Sequence, residues 1–582
     1  MTTDRLATVT DGATTTGRLG SGDTGAPSTR RARGIRPTAR EPRPVADRGT
    51  LTGTGRLLRF MLRRDRIRLP SWTLGLTALL AYFANALQLV FPTAADLEAF
   101  SAFSSNPAAA LLMGPGFGDA EPTLAVFLTS TYGLYLIIGA ALMSILTVVR
   151  HTRLEEQSGR AELVRANVIG RHAPLTAALV MAALMNVVVA MLMTLLLIGL
   201  GFDPAGSAVF GASVGAAGLA FAGITATTVQ LTSFPRTASG IAGAVLGAAF
   251  LVRGLGDMST AQGGDLGWLT WLSPIGWSQQ AAPFIDDAWW ALAISIGCFA
   301  LFAALGYALA ARRDLAAGLV APRRGHASAP AWLSSPFALA VRLQRASLIG
   351  WTASLFAGGI VYGAFTQAML EGFADAPPEL LVLFGGEEDL LTGYLGMMGL
   401  LFALTSTIYA ILAMQSVKSE ETDGRTEAVL AASVGRPGWL GSWLAATALG
   451  VVLLLVSAGL GTAIGAAVST GEGELFGDVF LGHVAHAPAV WVTLAIAAAL
   501  YGAVPRLVAL TWFVFGYAFL LGFFGPLLDA PDWAVDLSPF EHIGEYPGEE
   551  LSGVAIMVLT GIAAALGAAS LALFRRRDLI TA

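Results

Sequence analysis

The sequence predicts an all-α membrane protein: twelve transmembrane helices arranged as two parallel six-helix repeats, with cytoplasmic N- and C-termini. Three observations carry that prediction. With 55% hydrophobic residues, 13% charged residues and a mean hydropathy of +0.65, the 582-residue chain lacks the polar surface that a soluble globule needs. Apolar runs of roughly 20 residues, enough to cross about 30 Å of hydrocarbon, recur along it. A seventeen-residue stretch, Glu155 to Arg171, also recurs without a gap at Glu420 to Arg436, with nine of the seventeen positions identical.

Residues 1–50 are Thr, Gly, Pro and Arg with no apolar core run, so they read as a disordered basic tail and not as a cleavable signal. The first six-helix half spans 51–325 and the second 326–582. Ahead of the first span, Leu57, Leu58, Met61 and Leu62 lie near one helical face while Arg63, Arg64 and Arg66 reach headgroup phosphates, which predicts a helix lying on the membrane surface. Ser335-Pro336 supplies a helix start for a matching collar carrying Phe337, Val341 and Leu343.

Apolar periodicity sets the first-half spans at approximately 71–91, 123–149, 174–200, 207–231, 238–256 and 288–311. The second-half spans fall at approximately 350–370, 390–414, 439–466, 485–503, 507–527 and 552–574. Charge orients them. The intervals 92–121, 371–389, 470–484 and 528–550 contain Asp and Glu but no Lys or Arg, whereas the alternate intervals carry Arg63, Arg64, Arg150, Arg153, Arg312, Arg313, Arg323, Arg324 and Arg575 to Arg577. That is a positive-inside pattern with both termini cytoplasmic.

Further landmarks repeat in the same order. Trp72 and Gln88 match Trp351 and Gln367, Pro235-Arg236 matches Pro505-Arg506, and Arg312-Arg313-Asp314-Leu315 matches Arg576-Arg577-Asp578-Leu579. Ser273-Pro274 and Ser538-Pro539 each give a helix-start signal in an outer segment, and Glu541 completes a capping box with Ser538. Trp268, Trp271, Trp277, Trp289 and Trp290 surround the first copy, as expected at headgroup depth.

The duplicated loops carry alternating charge on segments too short to fold alone: Glu155, Glu156, Arg160 and Glu162 in one, Glu420, Glu421, Arg425 and Glu427 in the other. Gly159 and Gly424 permit a sharp change of direction before a second short helix. A solvated loop that diverges freely after duplication would not keep nine of seventeen residues, so both copies read as docking elements.

These features resemble the type-2 permeases of ABC transporters, which have the type V exporter fold. The match lies in the loop between the second and third spans, the surface helix before the first span and the Pro-containing outer helix between the fifth and sixth. The fused form, with its twice-repeated Glu-Glu-x-x-Gly-Arg-x-Glu loop, is similar to actinobacterial tetronasin and polyketide antibiotic exporter permeases. The resemblance covers roughly residues 55–580. It implies that Glu155, Glu156, Gly159, Arg160 and Glu162, with Glu420, Glu421, Gly424, Arg425 and Glu427, form coupling helices seated in two copies of a separate ABC ATPase subunit. ATP and Mg would then be held by those partners, with no cofactor in this chain and export of a hydrophobic or amphipathic compound across the cell membrane.

The residues support a separate motor. A P-loop needs Gly-x-x-x-x-Gly-Lys-Ser/Thr, and the only lysine in the chain, Lys418, follows Val417. The main rival is a twelve-span, proton-coupled secondary drug transporter, which would need ionisable groups within its spans. The span assignment leaves Arg253, near the outer end of the fifth span, as the exception, and it is expected to snorkel to the interface.

Gln88 and Gln367 occupy equivalent repeat positions and are the polar candidates for a substrate path, with a helix-to-helix hydrogen bond as the plainer expectation. His483 and His486 are expected in an ordinary polar outer loop, with no third metal ligand set by spacing. Cys298 reads as a small core residue. No metal site, catalytic cluster or nucleic-acid partner is expected; the expected partners are membrane lipid, a hydrophobic small molecule and the ATPase.

Overall fold

In the computed structural model the described residues are 49–90, 107–115, 117, 121–160, 162, 169–314, 316–321, 325, 327–373, 390–471, 473–524 and 531–579. The expected N-terminal tail and most of the intervals 92–121 and 371–389 lie outside them. The described residues contain helices, turns and loops and no strand.

The first half runs through α1 (Thr54–Arg64), α2 (Arg68–Val90), α3 (Pro107–Met113), α4 (Leu124–Gln157), α5 (Ala173–Gly199), α6 (Pro204–Leu231), α7 (Pro235–Ala261), α8 (Pro274–Gln279) and α9 (Trp289–Ala310). The second runs through α10 (Pro336–Ala364), α11 (Thr366–Phe373), α12 (Leu390–Thr422), α13 (Arg425–Leu430), α14 (Arg436–Thr470), α15 (Phe476–Ala485), α16 (Ala487–Ala503), α17 (Thr511–Phe524) and α18 (Gly553–Arg576). Eleven helices among the described residues are long and apolar enough to cross a membrane, and they fall on eleven of the expected intervals. The remaining interval, 71–91, holds α2, a 23-residue helix about 35 Å long at 1.5 Å per residue.

Helix α6 forms the centre of the first half, against α4, α5, α7 and α9. In the second half α10 lies along α14, and the crossing is built from glycine. A Cβ at Gly359 would stand 2.5 Å from the Ala458 carbonyl and one at Gly363 2.2 Å from that of Thr462, while one at Gly461 or Gly465 would stand 2.3 Å from the carbonyl of Phe356 or Ile360. Two small-xxx-small faces thus interlock, the arrangement that gives close helix association where lipid supplies no hydrophobic drive.

The two collars differ. The first is a separate surface helix, α1, whose Leu57 and Met61 are buried against Ala173, Ala177 and Met181 of α5. The second is continuous with its span in α10. Pro70, which has no N–H to donate to the carbonyl four residues earlier, stands just past the break where the second half has Ile349. Asp65 sits at the break after α1 and accepts from Arg150, whereas Gln344, its counterpart two residues after Arg342, stays helical and accepts from Tyr409 at 2.8 Å and Thr447 at 3.1 Å.

Ser273 caps α8 as expected, its Oγ accepting from the Ile275 and Gly276 amides at 3.2 and 3.4 Å. The second copy departs from expectation: no helix starts at Pro539, Ser538 Oγ is buried without a hydrogen-bond partner, and Glu541 opens a short 3-10 turn that has no side-chain cap. Trp271 and Trp290 stack at 5.2 Å beside the first copy.

Arg253 does not snorkel. It is fully buried on α7, pairs with Asp257 at 3.2 Å, and donates to the Ala110 and Leu111 carbonyls of α3 at 3.2 and 3.1 Å. Asp257 in turn accepts from Thr270 at 2.8 Å, so the network pins α3 and the 267–272 turn to α7. His483 and His486 are not in a polar loop either. Each is 1% exposed, inside or at the end of α15, with Nδ1 2.8 Å from the carbonyl four residues earlier and Nε2 without a partner. A histidine whose ring bonds its own helix leaves little for hydropathy to detect. Arg253, Asp257 and the two histidines therefore place four ionisable side chains in helices that the span assignment treats as nearly free of them.

Candidate functional site

At the arginine-rich end of the bundle, α4 continues past Val149 through a π-turn, Arg150–Leu154, before Glu155 and Glu156. The chain then reverses at Gly159, whose φ is +71°. Its counterpart Gly424 has φ +74° and opens α13. Both glycines occupy the left-handed region that side chains resist, as the loop pattern requires.

The first carboxylate of each loop is held differently. Glu155 is paired with Arg64 of α1. Glu420 instead accepts from Arg425 within its own loop, at 2.8 Å from both Nε and Nη2, and Asp423 lies 2.8 Å from the same guanidinium. These two carboxylates hold the Arg425 guanidinium above its ordinary pKa, the Glu420 hydrogen bond contributing most.

The second carboxylates are held alike, and both are turned inward. Glu156 accepts from Arg313 at 2.6 and 3.0 Å and from Arg153 at 2.7 Å. Arg313 also donates to Gln230 Oε1 at 2.6 Å, and Arg153 to the Val229 carbonyl. Glu421, 2% exposed, accepts from Arg577 at 2.7 and 2.6 Å and from the Tyr501 hydroxyl. Arg577 lies 4.9 Å over the rings of Tyr501 and Phe574. In each half, then, one loop carboxylate is clasped by an arginine immediately beyond the last helix, and a third helix closes the contact through Gln230 or Tyr501.

A second tie is repeated as well. Arg171 donates to the Ala310 and Ala311 carbonyls at 3.2 and 2.6 Å, and Arg436 to that of Arg577 at 2.7 Å. In the first half alone, Asp65 adds a brace to α4: Arg150 donates to it at 2.9 to 3.2 Å, and His151 Nε2 lies 2.9 Å away. Burial raises the pKa of Asp65, but the Arg150 hydrogen bond and the charges of His151, Arg150 and Arg68 outweigh it and hold the carboxyl below the usual aspartate range.

The outward-facing members of the motif are Arg160, Glu162, Arg425 and Glu427, all exposed. Among the described residues Arg160 has no ion-pair or hydrogen-bond partner, in contrast to Arg425. Ala161 and residues 163–168 of the first loop lie outside the described residues. The repeat thus supplies both an inner clasp, which fixes the loop to the bundle, and an outer charged face.

Gln88 and Gln367 are both exposed. Gln367 donates to Glu371 on its own helix at 2.9 Å rather than across to another. On the same helix as Gln88, the sequence reading missed two members of a group of aromatic rings: Phe83 packs 4.4 Å from Tyr132 and 6.2 Å from Tyr135, and Tyr82 lies 5.7 Å from Phe83. Tyr132 and Tyr135 are three apart on one helix face, which is the signal that would have found them. Arg313, Arg577, Gln230 and Tyr501 were missed as well, although the two arginines belong to a repeated landmark.

Residues 56–309 and 333–575 match the family model described as multidrug efflux system permease Rv1217c, C-terminal domain. The chain is also 35% identical over 534 residues to the multidrug efflux system permease protein Rv1217c of Mycobacterium tuberculosis (strain ATCC 25618 / H37Rv), an alignment covering 90% of this chain and 95% of the relative.

Proposed function

The chain belongs to the family of the multidrug efflux system permease Rv1217c, and from that premise we propose that it is the transmembrane permease subunit of an ATP-driven ABC exporter. It has twelve spans in two parallel six-span halves, with both termini in the cytoplasm. It moves a hydrophobic or amphipathic compound outward across the cell membrane. Two copies of a separate ATPase subunit bind ATP and Mg and dock on the loops at Glu155–Arg171 and Glu420–Arg436.

The observation that carries this reading is the twice-built clasp, Glu156 with Arg313 and Glu421 with Arg577. A docking element that must transmit a push cannot move independently of the helices it drives. Each clasp ties a loop to the residues just beyond the last helix of its half through two parallel charge-assisted hydrogen bonds, which fix geometry as well as adding strength. The exposed face bearing Arg160, Glu162, Arg425 and Glu427 remains for the partner. Import is opposed by the efflux named for the relative, and the solitary Lys418 supports an external motor.

Charge reversal at the outer face, Glu162→Arg with Glu427→Arg, tests the docking. The expected result is loss of ATPase co-purification with a folded permease. Unchanged assembly and ATP-dependent export overturn the reading.

One observation favours the proton-coupled secondary transporter as the second reading: the buried, unpartnered Nε2 atoms of His483 and His486. It predicts export that persists without any ATPase, collapses with the proton gradient and is abolished by His483→Gln with His486→Gln.

A further inference from the structure

The inner clasps are alike, but the space beside them is not. In the first half a cavity of about 350 Å³ opens between α1, the π-turn of α4, the start of α5 and the end of α9. That volume lies at the small end of the range of ligand sites, about 300–1,000 Å³.

The second half shows why the cavity exists. Three residues beyond Arg436 stands Trp439, and three before Arg577 stands Phe574; their rings stack at 5.6 Å, and Tyr501 stacks on the other side of Phe574 at 5.6 Å. Both side chains are buried, at 3% and 0% exposure. At the corresponding places, three beyond Arg171 and three before Arg313, the first half has Pro174 and Ala310, and both line the cavity. Two large aromatic side chains are thus exchanged for two small ones exactly where the space appears. The α4 π-turn, which supplies His151 and Thr152 to the wall, is a further first-half feature, since α12 runs as an uninterrupted α-helix from Leu390 to Thr422. Single-turn π-bulges within α-helices mark functional sites with high frequency.

The lining has two chemistries. Leu57, Phe60 and Met61 from α1, with Pro174 and Leu175 from α5, make an apolar wall, and Phe60 is 55% exposed at its edge. Opposite stand Arg64, Arg160, Arg171 and Arg313, against the carboxylates of Glu155, Glu156 and Asp314. Arg64 and Arg313 are neutralised by Glu155 and Glu156. Among the described residues Arg171 meets only backbone carbonyls and Arg160 has no partner. Counted over the lining, four arginines stand against three carboxylates, and the one positive charge left over complements a single phosphodiester.

We propose that this cavity is a binding site for one anionic glycerophospholipid, its phosphodiester held by Arg160 and Arg171 and its acyl chains leaving over Phe60 along the apolar face of α1. The amphipathic pattern of α1 predicts that it lies on the membrane surface, which would put the cavity at headgroup depth, where the charge of such a lipid meets an arginine side chain. The site exists once per chain because Trp439 and Phe574 fill its counterpart. It is an addition to the exporter reading and does not depend on it: a lipid bound between α1 and Arg160 stiffens the first loop whatever docks there.

The test is native mass spectrometry of the purified full-length permease, titrated with phosphatidylglycerol and with phosphatidylcholine. One phosphatidylglycerol per chain is expected to stay bound, with phosphatidylcholine lost. Filling the cavity, with Pro174→Trp and Ala310→Phe together, should remove that bound lipid. Arg160→Gln, a change at an exposed side chain with no partner, should weaken it about fivefold. Glycerol 3-phosphate, which lacks acyl chains, should not displace it. The proposal is overturned by equal retention of the two lipids, by retention that Arg160→Gln and the filled variant leave unchanged, or by displacement with glycerol 3-phosphate at lipid-like concentrations. No ATPase enters the measurement, so loss of the docking reading leaves this result standing, and docking is read separately from the Glu162→Arg with Glu427→Arg variant, neither of whose positions lines the cavity.

Discussion

Glu421 and Arg577 are 156 residues apart in sequence and joined by two parallel hydrogen bonds of 2.7 and 2.6 Å, with the carboxylate 2% and the guanidinium 12% exposed. Removing one partner of such a pair leaves the other charged, desolvated and unpaired. Glu421→Ala should therefore destabilise the second half by about 3–5 kcal/mol, read as a drop in the thermal unfolding temperature of the detergent-solubilised protein. The swap of Glu421→Arg with Arg577→Glu should recover part of that loss. A swap no better than either single change would show that the pair is not a coupled unit.

The loop that carries Glu421 was legible in the sequence, but its partner was not. Gly159 and Gly424 announced their turns because left-handed backbone leaves few alternatives to glycine, and both have the positive φ that the pattern required. Arg313 and Arg577 were visible only as a repeated landmark. A contact spanning more than 150 residues has no local signature. The signal was that repeated glutamates and repeated arginines kept nearly the same spacing in both halves. His483, His486 and Arg253 were misplaced because hydropathy scores each side chain alone, whereas their burial rests on carbonyls and on Asp257 supplied by the fold. The cavity beside the first clasp was invisible for the same reason, since Pro174 and Ala310 acquire meaning only against Trp439 and Phe574.

The turn glycines give a conservative test of the proposed docking loops. At Gly424, φ +74° with nothing within 4 Å of an added Cβ means that any penalty is backbone strain and not collision. Gly424→Val should cost about 1–2 kcal/mol and misdirect α13, lowering permease-stimulated ATPase activity. Gly424→Asn, a residue that enters the left-handed region with less strain, should restore most of it. Equal activity in the two variants would remove the turn from the coupling path.

Arg253 and Asp257 allow the burial argument to be run in reverse. Asp257→Leu leaves the guanidinium buried against only the Ala110 and Leu111 carbonyls, and should destabilise by about 3–5 kcal/mol. Arg253→Met combined with Asp257→Leu should lie close to wild type in thermal unfolding, because an apolar pair of similar volume carries no desolvation penalty. If the double variant is the worst of the three, the network is needed for specific positioning of α3 and not merely for charge balance.

At the end of the second half remote from its duplicated loop, burial together with Glu549 and Glu541 pushes the Glu545 carboxyl up to about 7. The folded state thus binds a proton that the unfolded chain, near 4.5, has released, so the contribution of Glu545 to stability is fully present below about pH 4.5 and is lost as pH rises through about 7. The loss is on the order of 2 kcal/mol after allowing for partial exposure. It should be felt locally, because the Glu545 carbonyl packs against Gly396 of α12, where an added Cβ would approach to 2.2 Å. Hydrogen exchange of the 541–549 segment should accordingly be faster at pH 8 than at pH 5 once the intrinsic rate is corrected. Glu545→Gln keeps the shape and removes the titration, so it should hold the segment at its acid-pH protection across that range. Protection that rises with pH in the wild type, or an unchanged pH dependence in Glu545→Gln, would place the titrating group elsewhere.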